Sequence, residues 1–108
     1  LPEAARKQSV DTVASPDGSG VCCVDPTTQS TDIGSDNVFV NGIGIVREDD
    51  PMIPHTSDDG GCCVQHAPRL STYSSTVFIN GKRAGRKGDM YGGDHQISSG
   101  SSNVFFGG

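Results

Sequence analysis

Hydrophobic positions in this chain fall in short runs that never settle into a 3.6-residue period, so little or no helix is expected. One phrase occurs three times: Asn37-Val38-Phe39-Val40-Asn41-Gly42, Thr76-Val77-Phe78-Ile79-Asn80-Gly81 and Asn103-Val104-Phe105-Phe106-Gly107-Gly108. Each copy is a brief strand closing on glycine. In the first two, the Asn-Gly pair supplies the positive φ angles of a type I′ hairpin turn. A second phrase follows the turn and also opens the chain. Leu1-Pro2-Glu3-Ala4-Ala5-Arg6, Ile43-Gly44-Ile45-Val46-Arg47 and Lys82-Arg83-Ala84-Gly85-Arg86 read as returning strands that end on arginine. The expected fold is therefore all-β: one small conical domain over residues 1–108, built from three pseudo-repeated β-hairpins, the third split between the two ends of the chain.

The stretches between the hairpins are rich in Gly, Ser and Asp and contain every cysteine and histidine. They also echo each other, Gly20-Val21-Cys22-Cys23-Val24 against Gly60-Gly61-Cys62-Cys63-Val64. Long connections of this kind are uncommon in a small domain unless something ties them down. Composition sharpens the point. Hydrophobic residues make up 32% of the 108 positions, against about 45–50% in an ordinary domain. Only Leu1 and Leu70 are leucines, so a helical bundle is excluded and a lean core needs a staple. Thirteen acidic against eight basic residues give a net charge of -5, which argues against nucleic acid as a partner. No apolar run is long enough to span a membrane as a helix, and no apolar leader stands at Leu1–Lys7, so no secretory signal is expected.

Taken together, these phrases resemble the proline-alanine-alanine-arginine (PAAR) repeat family, whose members tip the spikes of type VI secretion systems and contractile phage tails. The family pattern, a T/N-V-F-I-N-G strand followed by K-P-A-A-R-x-G-D, is similar to Thr76–Lys82 followed by Ala84-Gly85-Arg86-Lys87-Gly88-Asp89. Pro2-Glu3-Ala4-Ala5-Arg6 resembles the usual opening, and Gly100-Ser101-Ser102-Asn103-Val104-Phe105 the closing G-S-P-N-V-F. There are departures. Gly44 and Arg83 stand where the namesake proline would be, and the middle return reads Arg47-Glu48-Asp49-Asp50. The resemblance implies a non-enzymatic structural tip, one per trimeric β-helical spike (VgrG-like or a phage central spike), that sharpens it for piercing a target envelope. It would touch the target membrane only transiently. Its place would be a virion tail tip, or outside the cell by way of a type VI apparatus. Because the chain stops at Gly108, directly after the last strand phrase, no fused effector is expected.

The resemblance further implies three histidines and one cysteine around a structural zinc near the apex, with iron as the alternative ion. This chain has three histidines, His55, His66 and His95. His55 and His95 lie 13 and 14 positions after Gly42 and Gly81, so converging loops can bring them together. Cys23 is favoured as the fourth ligand because one ligand per unit suits three-fold symmetry, while Cys62 or Cys63 remains an alternative close to His66. Four cysteines also permit disulfides. Adjacent cysteines are poor partners, whereas a bridge between the two Cys-Cys pairs is feasible and could coexist with one thiolate ligand. Two rivals stand beside the tip. One is a small zinc-dependent hydrolase with three His ligands and Asp58, Asp59 or Asp94 as base. The other is a disulfide-stapled secreted binding module.

Overall fold

The computed structural model describes residues 1–19, 22, 25–58 and 61–108. The fold is all-β, as the hydrophobic pattern indicates, with one 3-10 turn at Pro16–Ser19 among the described residues. The strands are β1 (Thr12–Ala14), β2 (Thr28–Ser30), β3 (Phe39–Val40), β4 (Ile43–Gly44), β5 (His55–Ser57), β6 (Val64–His66), β7 (Phe78–Ile79), β8 (Lys82–Arg83), β9 (Met90–Tyr91) and β10 (His95–Ile97). Among the described residues they form a four-stranded sheet in the order β2-β1-β10-β9 and three two-stranded sheets, β3–β4 and β7–β8 from the repeated phrases and β5–β6 between them. The molecule measures 39 × 24 × 23 Å, elongated with nearly equal short axes.

The repeated phrases become equivalent pieces of structure. Asn41 and Gly42, then Asn80 and Gly81, carry positive φ angles (55°, 79°, 57° and 77°), so both turns have the handedness their sequences specify. The third hairpin is assembled across the termini. Glu3 bridges Phe105, Ala4 N–H donates to the Val104 carbonyl, and Phe106 N–H donates to the Pro2 carbonyl. The three returning segments then pair with one another in a cycle: Ala4 with Arg86, Ala84 with Arg47, and Ile45 with Arg6. One residue further on, three backbone hydrogen bonds close a ring, Ala5 to Gly85, Gly85 to Val46 and Val46 to Ala5, at 3.1, 2.7 and 3.0 Å. A ring this tight leaves little room for side chains. A Cβ placed on Gly85 would meet Leu70 Cδ2 at 2.8 Å and the Val46 carbonyl oxygen at 3.1 Å.

Two apolar layers lie along this arrangement. The first contains Ala4, Val40, Ile45, Ile79 and Ala84, with Val38, Val77, Val104 and Phe106 packed against it. The second contains Ala5, Val13, Val46, Met52, Leu70, Tyr91 and Ile97. Each unit contributes to both, so the few apolar residues are concentrated where the three units meet. The aromatic of each strand phrase takes the other side. Phe39, Phe78 and Phe105 remain 56%, 55% and 45% exposed.

Polar residues do the work that a larger core would do elsewhere. Ser35, Ser74 and Ser101 are fully buried. Each Oγ accepts the backbone N–H groups two and three residues ahead, at 2.9–3.3 Å, fixing the start of the following strand phrase. Each also donates into a neighbouring unit: Ser35 to Asn80 Oδ1 and Ser101 to Asn41 Oδ1, both at 2.7 Å, and Ser74 to the Gly107 carbonyl. Three arginines complete the frame. Arg6, Arg47 and Arg86 each donate from the backbone N and Nε to one carboxylate oxygen and from Nη2 to the other, on Asp11, Asp50 and Asp89, at 2.7–3.2 Å. The Asp11 hydrogen bond raises the pKa of Arg6 above its ordinary value, burial working against it.

The departures in the middle return do not alter this geometry. Asp50 takes the place of Asp89, and Asp49 at φ 66° takes the left-handed place of Gly88 at φ 94°. The carbonyls of Glu3, Gly44 and Arg83 accept equivalent bonds from Lys87, Lys7 and Glu48. Glu3 is thus the counterpart of Gly44 and Arg83, and Pro2 stands one position earlier.

Candidate metal centre

Beyond the second apolar layer the three histidines converge. His55 opens β5 and His66 closes β6, and the antiparallel register sets them directly opposite each other. His95 opens β10, which pairs with β1 and β9 and so belongs to the four-stranded sheet. The Nε2 atoms of His66 and His95 lie 2.9 and 3.1 Å from that of His55. A fourth group joins them. Asp17, in the 3-10 turn that follows β1, sets one carboxylate oxygen 2.6, 2.7 and 2.8 Å from the Nε2 atoms of His55, His66 and His95.

This fourth ligand follows the pseudo-symmetry. Asp17, His55 and His95 stand six, five and six positions after Asp11, Asp50 and Asp89, the three carboxylates of the buried ion pairs. Each unit therefore brings one candidate ligand to the centre, and β6 adds His66. Asp17 occupies in the first unit the place that His55 and His95 occupy in the other two. Cys23 lies outside the described residues. Cys62 is bonded to Cys22 in a disulfide, and Cys63 is disulfide-bonded as well, so neither presents a thiolate in this structure. The bridge runs between the two Cys-Cys pairs, the connection that the sequence left open.

The chemistry of the four groups fits a cation. His55 Nδ1 donates to the Ile53 carbonyl at 3.0 Å, and His95 Nδ1 donates to Asp94 Oδ1 at 2.6 Å. In the tautomer that carries those protons on Nδ1, the Nε2 lone pairs would face the centre, the usual way a metal-binding imidazole is oriented. Three nitrogens and a carboxylate oxygen facing one point repel unless a positive charge sits among them. Protonating all three rings would set imidazolium charges about 3 Å apart. A single central ion satisfies all four donors. A tetrahedral ion with bonds of about 2.05 Å wants ligand atoms about 3.3 Å apart, and the observed 2.6–3.1 Å reaches that with outward shifts of a few tenths of an ångström. Without an ion, burial would oppose ionisation of Asp17, but hydrogen bonds donated by Nε2–H of His95, His66 and His55 would outweigh it and hold the carboxyl down at about 2; a cation at the same point would take the place of those protons.

Neighbouring carboxylates support the cluster. Asp25 accepts from the Thr56 backbone N–H at 2.6 Å and from its hydroxyl at 2.5 Å, bonds that lower the Asp25 pKa and anchor β5 next to His55. Of the groups considered as a hydrolytic base, Asp94 is engaged with His95 and Asp58 accepts the Cys22 backbone N–H at 2.6 Å. Asp59 lies outside the described residues. No family model and no curated protein matches this chain.

Proposed function

We propose that this protein is a metal-tied structural tip of the PAAR-repeat kind, capping a trimeric β-helical spike of a contractile injection apparatus. The observation that carries the reading is the repetition of one docking element three times in one chain. Phe39, Phe78 and Phe105 are half-exposed at equivalent positions. The strands β3 and β7 that bear the first two each belong to a two-stranded sheet, leaving an edge for strand addition. A trimeric shaft ends in three equal, unpaired strand edges, which are a liability when left bare. A single subunit with three near-equal faces resolves the mismatch of one tip to three chains.

The ion proposed at the centre is zinc, held by His55, His66, His95 and Asp17; iron is the other first-row ion that such a nitrogen-oxygen set accepts. Four protein ligands close a tetrahedron and leave no position for a catalytic water, which supports a structural rather than a hydrolytic role. Element analysis with anomalous scattering at the ion identifies the metal and its ligands together. The docking reading is tested by mixing the chain with a trimeric β-helical spike end and measuring the mass of the complex in solution. One chain per trimer is the expected result, lost when Phe39, Phe78 and Phe105 are all changed to Asp. A complex with three chains per trimer, or one indifferent to the triple substitution, refutes it.

A further inference from the structure

A second group of metal-ligand residues lies apart from the histidine centre. Cys22, Cys62 and Asp58 each bring one ligand atom within 4.8 Å of the others. In this structure the two sulfurs are joined, with Cα atoms 5.4 Å apart. Asp58 Oδ2 accepts the Cys22 backbone N–H at 2.6 Å, which pins the carboxylate beside the sulfur pair. Both cysteines are exposed, so soluble thiols can reach the bond. We propose that reduction converts this disulfide into a second metal site, in which the Cys22 and Cys62 thiolates and the Asp58 carboxylate hold a thiophilic divalent cation.

The chemistry balances with a low-molecular-weight thiol as reductant. Two such thiols exchange in turn with the disulfide, become one small-molecule disulfide, and deliver two electrons and two protons that leave Cys22 and Cys62 as thiols. On binding a divalent ion each thiol releases its proton and the sulfur donates to the metal. The two sulfurs of a tetrahedral zinc dithiolate lie about 3.8 Å apart, given bonds of about 2.3 Å. Rotation about the side-chain bonds provides that separation with the Cα atoms near their present places. A carboxylate and water complete the shell.

The position gives the exchange a purpose. The bridge joins the segment after Asp17 to the loop between β5 and β6, so it ties three of the four histidine-centre ligands to one another. A reducing compartment would cut that tie. A second ion at the same point keeps it, and exchange with the small-molecule disulfide, which is reduced to two thiols, restores the covalent form and releases the ion. The loop stays fastened in both environments by exchanging one kind of bond for the other.

The test compares cobalt(II) or zinc bound per chain before and after reduction with a phosphine, the reductant being removed by desalting under anaerobic conditions. The oxidised protein is expected to bind one ion and the reduced protein two, and reduction is expected to add the thiolate-to-cobalt charge-transfer absorption that imidazole and carboxylate ligands cannot produce. Cys22→Ser/Cys62→Ser should remain at one ion in either condition. Asp58→Asn, which keeps both sulfurs, should weaken only the second ion. An unchanged count after reduction, with no sulfur charge-transfer band, overturns the proposal. Failure of the histidine centre reads differently: the oxidised protein then binds no ion, while a sulfur band present in the reduced protein and lost in Cys22→Ser/Cys62→Ser still decides the second site, because reduction also frees Cys63; a band that persists in that variant overturns it.

Discussion

Each of the buried carboxylates Asp11, Asp50 and Asp89 accepts three bonds from an arginine whose side chain is itself less than one-fifth exposed. Removing the acid would strand a guanidinium among backbone and apolar groups, a change that typically costs about 3–5 kcal/mol. Asp89→Ala is accordingly expected to lower the denaturant midpoint steeply. Asp36→Ala, which deletes the bond to Lys7 from a side chain that is 98% exposed, should leave it almost unchanged. Equal midpoints for the two variants would show that the triplet of ion pairs does not hold the frame. The arginines were legible in the sequence as the ends of the three returns, but their partners were only partly so. Asp50 and Asp89 follow by three positions, whereas Asp11 follows Arg6 by five across an inserted stretch. A fixed-spacing reading therefore misses one of three equivalent pairs and treats Asp49 as a defect, although an aspartate tolerates the left-handed backbone required there. The buried serines were present in the same way, two positions ahead of each strand phrase. Serine in a polar loop gives no sign of burial until its neighbours are known.

Strand and hairpin signals were the most readable feature, because an Asn-Gly turn dictates local geometry without help from the rest of the chain. The elements bearing the histidines are different. β5, β6 and β10 are three residues each, every one of them opens or closes on a histidine, and no hydrophobic alternation marks them. Spacing from the Asn-Gly turns was enough to bring the imidazoles together. It was not enough to find Asp17, one of thirteen acidic residues, whose role rests on the equivalence of three separated segments. These elements also have little apolar surface of their own, so their order depends on the proposed ion. Chelation is expected to speed amide hydrogen exchange at Thr56, Gln65 and Gln96 while Ala5, Val46 and Gly85 stay protected by their closed ring. Acidification should act in the same direction, since protons compete with the metal for the imidazole lone pairs. Uniform exchange with and without chelator would separate the histidine cluster from the stability of its loops.

At the scale of the whole molecule, the third hairpin matters most, because it closes the cycle. Its outgoing strand comes from residues 103–106 and its return from residues 2–6, so two of the three inter-unit seams depend on pairing between distant parts of the chain. The other two hairpins are continuous through their turns, and nothing in the cyclic bonding distinguishes the split unit from them. The position of the break is therefore incidental to the architecture. Leu1 and Gly107 are neighbours, Leu1 Cδ2 lying 3.2 Å from where a Cβ on Gly107 would stand, so a glycine linker from Gly108 to Leu1 is expected to leave both strands in place. A circular permutant joined there and reopened between Asn41 and Gly42 converts the split hairpin into a continuous one and splits the first instead. It should melt cooperatively and bind the proposed ion as the parent chain does. Deleting residues 101–108 should instead abolish folding, because Arg86 loses its bond to the Gly107 carbonyl, Ser74 loses its acceptor, and the Ser101 anchor of Asn41 disappears. A folded truncation would mean that two units suffice, and the three-fold cycle would then not be the source of stability. An unfolded permutant beside a folded parent would show that the third hairpin needs its break, contrary to the equivalence of the units.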